Sequence, residues 1–518
     1  MSQNLSQPAD PTIAPAAGRA AAYLRTDRLK ANLGARTARG GAVTVASQGF
    51  KFAAGLAATA VLGRLLTPAD YGLVGMVAVV TGFVALFKDL GLSSATVQRE
   101  EITAEQVSTL FWVNVGLSVA VGLLTAALAP AVAWFYAEPR LSAVTLAYAA
   151  GFLPGGLTVQ HEALLRRQMR FVALAACEVA ALLASIAATV VLAWRGWGYW
   201  ALVCGHLTLG LVYMVGVWAA CGWRPGWPSR AAGVTSMLGF GGNLTGFAVI
   251  NYFARNLDNM LIGRVWGSFQ LGLYAKAYQL LLLPLDQINA PITAVAVPAL
   301  SRLNDSPERY RRAYLRIVEK IAMVTMPGVA LLVATSDWVL LVVLGPQWVG
   351  AARIFTLLGV AGLLQPAANT VGWLFITQGR TRQMLRWGLV GCTIVILSIV
   401  AGLPWGAAGV AASYSLTNVL VIFPLLLHYV GREGPVRARD FYGAVAPSVC
   451  AGLCALGVLL LFRAWGGVGH PVAGLAVACV LAAATALPVL WALPAGRRAL
   501  RDFRDLYGML RGGGGGAA

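Results

Sequence analysis

The sequence predicts an all-α polytopic membrane protein of about fourteen transmembrane helices, built as two six-helix pseudo-repeat lobes plus a C-terminal helix pair. Three observations lead there. Hydrophobic residues fill 58% of the 518 positions and charged residues only 11%, giving a mean hydropathy of +0.71, far outside the soluble globular range. Apolar runs follow one another from residue 40 to residue 494, each long enough to cross roughly 30 Å of hydrocarbon as a helix. One short frame also recurs at an offset of 200 residues, as "GRLLTPADYGL" at 63–73 and "GRVWGSFQLGL" at 263–273.

Taken in order, residues 1–39 are polar, Pro-containing and basic towards their end, with no apolar core of signal-peptide length, and are expected to be a mobile cytoplasmic tail. Spans at 40–62, 72–97, 107–134, 141–165, 170–194 and 197–221 form an N-lobe, 40–221. Those at 234–263, 270–300, 316–344, 350–377, 384–402 and 406–430 form a C-lobe, 234–430. The last two, 441–463 and 471–494, complete a helix pair at 441–494, and 495–518 is a second cytoplasmic tail. Its stretch "RRALRDFRDLYGML" is either a basic amphipathic helix on the membrane surface or a frayed end.

The net charge of +19 sorts by side. Arg166, Arg167 and Arg170, then Arg302, Arg309, Arg311, Arg312 and Arg316, then Arg432, Arg437 and Arg439 alternate with nearly uncharged turns such as "GPQWVG" at 345–350. This is the positive-inside pattern, which places both termini in the cytoplasm and makes nucleic acid an unneeded partner. Trp134, Trp194, Trp197, Trp223, Trp227, Trp266, Trp348, Trp405 and Trp465 fall near span ends and read as interfacial belts. The seven cysteines and four histidines show no zinc-ligand spacing, so no metal is expected. There is no Gly-rich loop ending in Gly-Lys-Ser/Thr and no polar stretch long enough for a catalytic domain, so neither a cofactor nor ATP hydrolysis is expected.

The repeated frame joins spans one and two, then seven and eight. Six spans per unit is an even number, so both units enter from the same side as parallel repeats about an axis along the membrane normal. Gly63 and Gly72, with Gly263 and Gly272, are read as turn and close-packing residues of two equivalent hairpins. The glycine-rich "GFGGNLTGF" at 239–247 reads as a hinge.

Charges inside spans are the default site candidates. Lys51 and Arg255 lie mid-span in spans one and seven, four residues apart in repeat register, and would suit a pyrophosphate facing a central cavity. Arg255 has a competing reading as the partner of Asp258. Lys276 either lines the outer cavity or snorkels to the interface. Asp89, Asp258, Asp286, Glu162, Glu178 and Glu319 are the acidic candidates for ion coupling or a gate; Asp89 follows Lys88 and favours a gate salt bridge. Asp286 lies between Pro284 and Pro291, beside Gln287 and Asn289, where a bent helix would gather polar groups.

Over residues 40–494 the chain resembles the polysaccharide transporters, the Wzx-type lipid-linked oligosaccharide flippases of the multidrug/oligosaccharidyl-lipid/polysaccharide exporter superfamily. The resemblance rests on "LGRLLTPADYGLVGM", on "DLGLSSATVQRE" at 89–100, on "LDNMLIGRVWGSFQLGLYAKAYQLLLLPLDQINAPITAVAVPALSRL" at 257–303 and on "LLGVAGLLQPAANTVGWLFITQGRTRQMLRW" at 357–387. It implies a bacterial inner-membrane exporter that moves a polyprenyl-pyrophosphate-linked oligosaccharide to the outer leaflet by alternating access, among membrane lipids. It leaves open H+ or Na+ as coupling ion and other polysaccharide assembly proteins as partners. A cation-coupled drug or metabolite antiporter of the same superfamily is the first alternative, though its cationic cargo would favour acidic cavity residues over Lys51, Arg255 and Lys276. A membrane-bound sugar polymerase or glycosyltransferase is the second, and would need an external loop with catalytic acids that the sequence lacks.

Overall fold

The computed structural model describes residues 33–87, 93, 96, 97, 99, 102–229, 235–465, 469–493 and 496–498, without the side chains of 33–39, 235–251 and 254. The "RRALRDFRDLYGML" stretch beyond residue 498, most of the N-terminal tail, and Lys88 with Asp89 lie outside the described residues.

Among the described residues the fold is helical, and twelve helical stretches are long and apolar enough to cross a membrane. They are α1 (Leu33–Leu65), α2 (Pro68–Ala85), α3 (Ala104–Tyr136), α4 (Arg140–Arg167), α5 (Phe171–Trp194), α6 (Tyr199–Ala220), α7 (Thr235–Ser301), α8 (Pro307–Ala334), α9 (Ala351–Thr377), α10 (Thr381–Gly431), α11 (Ala438–Ala464) and α12 (Pro471–Ala492). Two are too long for one crossing. The 67-residue α7 reverses at Gly267, whose φ of 78° is a left-handed conformation that glycine adopts without strain. The α10 run is interrupted by a tight turn at Leu403–Trp405 and by Gly406 at φ 73°. With each of these counted as two crossings, the architecture is compatible with the fourteen predicted spans.

Helix starts follow local rules. In "TPAD", the Thr67 side chain accepts from the Asp70 backbone N–H, Asp70 accepts in return from Thr67 N at 2.9 Å, and Pro68 occupies the first turn. Thr103 and Gln106 repeat the reciprocal cap at α3. The glycines of the recurring frame flank its reversals. Gly63 and Gly72 lie within α1 and α2, and Gly263 and Gly272 within α7. The reversals themselves are made by the capped Thr67 in the first hairpin and by Gly267 in the second. The α7 backbone also stays helical through 239–247 and through Pro284 and Pro291.

The chain divides into two compact units, Met1–Asn256 and Leu257–Ala518. In the first, Ile102, Val107, Leu110, Phe111, Leu164, Leu174, Val217 and Trp223 form a buried core. In the second, Tyr310, Tyr314, Val318, Ile321, Trp373, Phe375, Phe423 and Phe441 knit α8 to α11. The tryptophan belts divide accordingly. Trp134, Trp194, Trp227, Trp405 and Trp465 are strongly exposed, whereas Trp223 and Trp348 are fully buried, because aromatic surface also fills gaps at helix ends.

Lipid is as apolar as leucine, so helices here associate through close packing of small residues and interhelical hydrogen bonds. Ser185 Oγ on α5 donates to the Gly205 carbonyl on α6 at 2.8 Å, and a Cβ at Gly205 would fall 1.9 Å from Thr189 Oγ1. Gly205→Ala is therefore expected to overpack this contact by about 1–3 kcal/mol and to lower the melting temperature of the detergent-solubilised protein. The double variant with Thr189→Ala is expected to recover most of the loss; equal melting of wild type and Gly205→Ala would refute the close approach.

Candidate functional site

In an α-helix long side chains lean back towards the N-terminus. The parallel helices α1 and α5 are level at Gly40 and Phe171, where a Cβ on the glycine would meet the Phe171 ring at 2.6 Å. Lys51 stands eleven positions beyond that level and Glu178 seven, an axial gap of about 6 Å that a lysine leaning back spans. Lys51 Nζ donates to Glu178 Oε2 at 2.5 Å, with the two side chains 20% and 33% exposed. The ammonium predicted from sequence alone is thus ion-paired within the membrane yet still open to one side.

Arg255 lies on an exposed part of α7 just beyond Tyr252. Tyr252 donates to the Val79 carbonyl of α2 at 2.6 Å, and Phe253 packs on Phe83 with centroids 5.0 Å apart, so this stretch of α7 is fastened to α2. Asp258 is buried. It accepts from Tyr274 Oη at 2.9 Å and from the Asn259 backbone N–H at 2.7 Å. The reversal at Gly267 brings Asp258 and Tyr274 together, nine residues before the glycine and seven after it. Lys276, two residues on, donates to Gln279 Oε1 at 3.0 Å. Asp286 and Gln287 are exposed, while Asn289 is buried with neither amide atom partnered among the described residues.

Two acidic candidates pair locally: Glu162 accepts from Arg166 at 2.7 Å, and Glu178 is the Lys51 partner. Arg167 is more than a topological charge. It is buried and donates to the carbonyls of Thr96 and Arg99. A pairing not anticipated from sequence joins Arg463 at the end of α11 to Asp337, with two contacts of 2.7 and 2.6 Å, and the guanidinium sits 4.9 Å from the Trp338 ring. The readable signal was a single arginine closing an apolar span, which needs a carboxylate or carbonyl partner nearby. Between spans, the hydrogen bonds from Arg140 hold the Glu138 carboxyl below its ordinary range, fixing the α3–α4 turn.

With this geometry in view, the family match is decisive: residues 61–353 match the family described as "Polysaccharide biosynthesis protein". The chain belongs to that family. This polysaccharide biosynthesis protein is 28% identical over 375 residues to the lipopolysaccharide biosynthesis protein WzxC of Escherichia coli (strain K12), spanning 71% of this chain and 75% of the relative. It is 27% identical over 411 residues to the teichuronic acid biosynthesis protein TuaB of Bacillus subtilis (strain 168), spanning 77% and 84%. Its fold is similar to a solved structure of the lipid II flippase MurJ in an inward closed conformation, with TM-score 0.68 at 13% identity over 89% of this chain and 99% of that one. It is also similar to an inward-facing multidrug resistance MATE family transporter of the MOP superfamily, with TM-score 0.55 at 15% identity over 79% and 95%.

The Lys51–Glu178 pair has a direct test in charge reversal. Lys51→Glu and Glu178→Lys alone each place like charges together in a low-dielectric site and are expected to lower melting temperature and membrane yield. The double reversal is expected to restore both, with a coupling of about 1–3 kcal/mol. Additive losses would show that the two side chains do not pair.

Proposed function

We propose that this polysaccharide biosynthesis protein is an alternating-access flippase. In this reading it carries a polyprenyl-pyrophosphate-linked oligosaccharide from the inner to the outer leaflet of a bacterial inner membrane, with both termini in the cytoplasm. The observation that carries the reading is the family match over residues 61–353, lying on a chain whose described body is helical and membrane-spanning. The names of its relatives agree, including a succinoglycan biosynthesis transport protein, ExoT of Rhizobium meliloti (strain 1021).

The cargo has a greasy tail, an anionic linker and a polar head. The tail stays in lipid, while the linker needs cations in the membrane. Lys51 supplies a half-open ammonium whose carboxylate partner can be exchanged for a pyrophosphate oxygen. Arg255 and Lys276 are the further cations assigned to the path. Asp258, sequestered with Tyr274, is assigned to ion coupling by H+ or Na+, with Asp286 and Asp89 as the other acidic positions of that role. The two compact units are the bodies that rock, and α11 and α12 flank the lipid tail. No covalent bond is made or broken, so the chain acts as a carrier and not as an enzyme. Membrane lipids and other polysaccharide assembly proteins are its surroundings.

The test is a strain lacking the gene, in which surface polysaccharide and the leaflet position of its lipid-linked precursor are measured together. Precursor is expected to accumulate on the cytoplasmic face. Wild type should relieve this, and the combined Lys51→Ala and Arg255→Ala variant should reduce relief at least tenfold at equal protein level. Precursor that still reaches the outer leaflet without the protein would overturn the flippase reading for that substrate.

A further inference from the structure

Away from the membrane charges, a cleft of about 470 Å³ opens at the arginine-rich end of the second unit. Three separate connections build it: Asn304 between α7 and α8, with Tyr310 in the opening turns of α8; Gln378 between α9 and α10; and Glu433, Gly434 and Pro435 between α10 and α11. Its floor is fixed. Tyr310 Oη and Thr377 Oγ1 are hydrogen-bonded at 2.6 Å, and Asn304 Nδ2 donates to the Thr377 carbonyl at 2.5 Å. Gln378 Nε2 is buried with no partner among the described residues, a donor that costs about 1–3 kcal/mol to leave unpaired.

Beside this donor sits a preset cation. Arg380 lies with its guanidinium 5.9 Å from the Phe375 ring, donates to the Val430 carbonyl at 3.3 Å and to Gln378 Oε1 at 3.4 Å, and has a side chain only 13% exposed. Its carboxylate partner, Glu433, is 69% exposed and 3.8 Å away, and also accepts from Gln383 Nε2. With its carboxylate in solvent and the contact at that distance, the pair holds weakly and is readily exchanged. Gly434 has no side chain between the cleft and Arg380: a Cβ there would come 3.0 Å from the guanidinium. Arg302, Arg309, Arg312, Arg432 and Arg437 on the same connections and helix starts raise the local positive potential.

We propose that this cleft binds a phosphate ester, with Arg380 and Gln378 donating to it and Glu433 the side chain it displaces. The volume suits a small polar molecule of sugar-phosphate size. Because the walls come from three connections, an occupant would brace the ends of α7 to α11 against one another, which makes the cleft a control point separate from the transport path. The phosphate ester has two chemical sources, a soluble sugar phosphate or the headgroup of an anionic phospholipid.

The experiment uses the full-length protein in detergent, titrated with glucose 1-phosphate by calorimetry and, in a second arm, with short-chain phosphatidylglycerol by thermal shift. Wild type is expected to bind at least one probe, and which one binds assigns the source. Arg380→Gln should weaken that binding roughly tenfold, as expected for loss of a charge-assisted bond, whereas Glu433→Gln should tighten it severalfold by removing the competing carboxylate. Lys51→Ala should leave it unchanged; loss of binding there would assign the anion to the transport path and overturn the proposal. Weaker or unaltered binding in Glu433→Gln would also overturn it, marking Arg380 and Glu433 as a structural clasp. The Glu433→Gln arm decides even if Arg380→Gln fails to fold, and binding of neither probe to wild type refutes the site.

Discussion

Everything in this protein depends on one constraint: a polar or charged group in hydrocarbon must find its partner within the protein. Backbone groups meet it by forming helices throughout the described membrane region. Side chains meet it pairwise, and the pairs are few enough to name. Lys51 with Glu178 joins α1 to α5, Asp258 with Tyr274 closes the hairpin within α7, and Arg463 with Asp337 clamps α11 to the segment after α8. The first and third tie elements more than a hundred residues apart and the second closes a hairpin, so polar pairing supplies specificity where apolar contact cannot distinguish helix from lipid.

The same constraint separates structural from exchangeable charge. The Arg463 guanidinium is held by two carboxylate contacts, the Ala334 carbonyl at 2.6 Å and the Trp338 ring, an arrangement that leaves little to offer a ligand. The Lys51 ammonium is a point charge with one carboxylate partner and a side chain still partly open, the state that the proposed role in anion transport requires. In the flippase proposed above, affinity for a linker pyrophosphate would depend on the difference between a carboxylate and a phosphate contact, a small quantity that a change of conformation could tip either way.

Reversals are the other place where the fold is set. Two reversals of the second unit use glycine at positive φ, Gly267 and Gly406, and they meet: Trp266 Nε1 donates to the Leu403 carbonyl at 2.8 Å, with its ring 3.8 Å from where a Cβ on Gly406 would lie. The equivalent reversal in the first unit uses the capped Thr67 instead. Sequence similarity between the two frames marks the same hairpin position, yet the backbone solves each turn differently because a side-chain cap and a left-handed glycine are alternative ways to satisfy a helix end.

The sequence by itself determined the membrane class, the helical architecture, the approximate spans and the family, because hydropathy over 20 residues and the alternation of arginines along the chain are local properties. It also determined which charges were exceptional, since Lys51, Glu178 and Asp258 stand out against apolar neighbours, while Arg463 emerged only from the structure. Only the tertiary structure decided their partners. Pairing Lys51 with Glu178 required the level of α1 against α5, and pairing Asp258 with Tyr274 required the reversal at Gly267, neither of which is encoded in spacing along one helix. Burial of Trp223 and Trp348 was likewise invisible in sequence, because a tryptophan near a span end suits an interface and a helix-end core equally well until the neighbouring helices are in place.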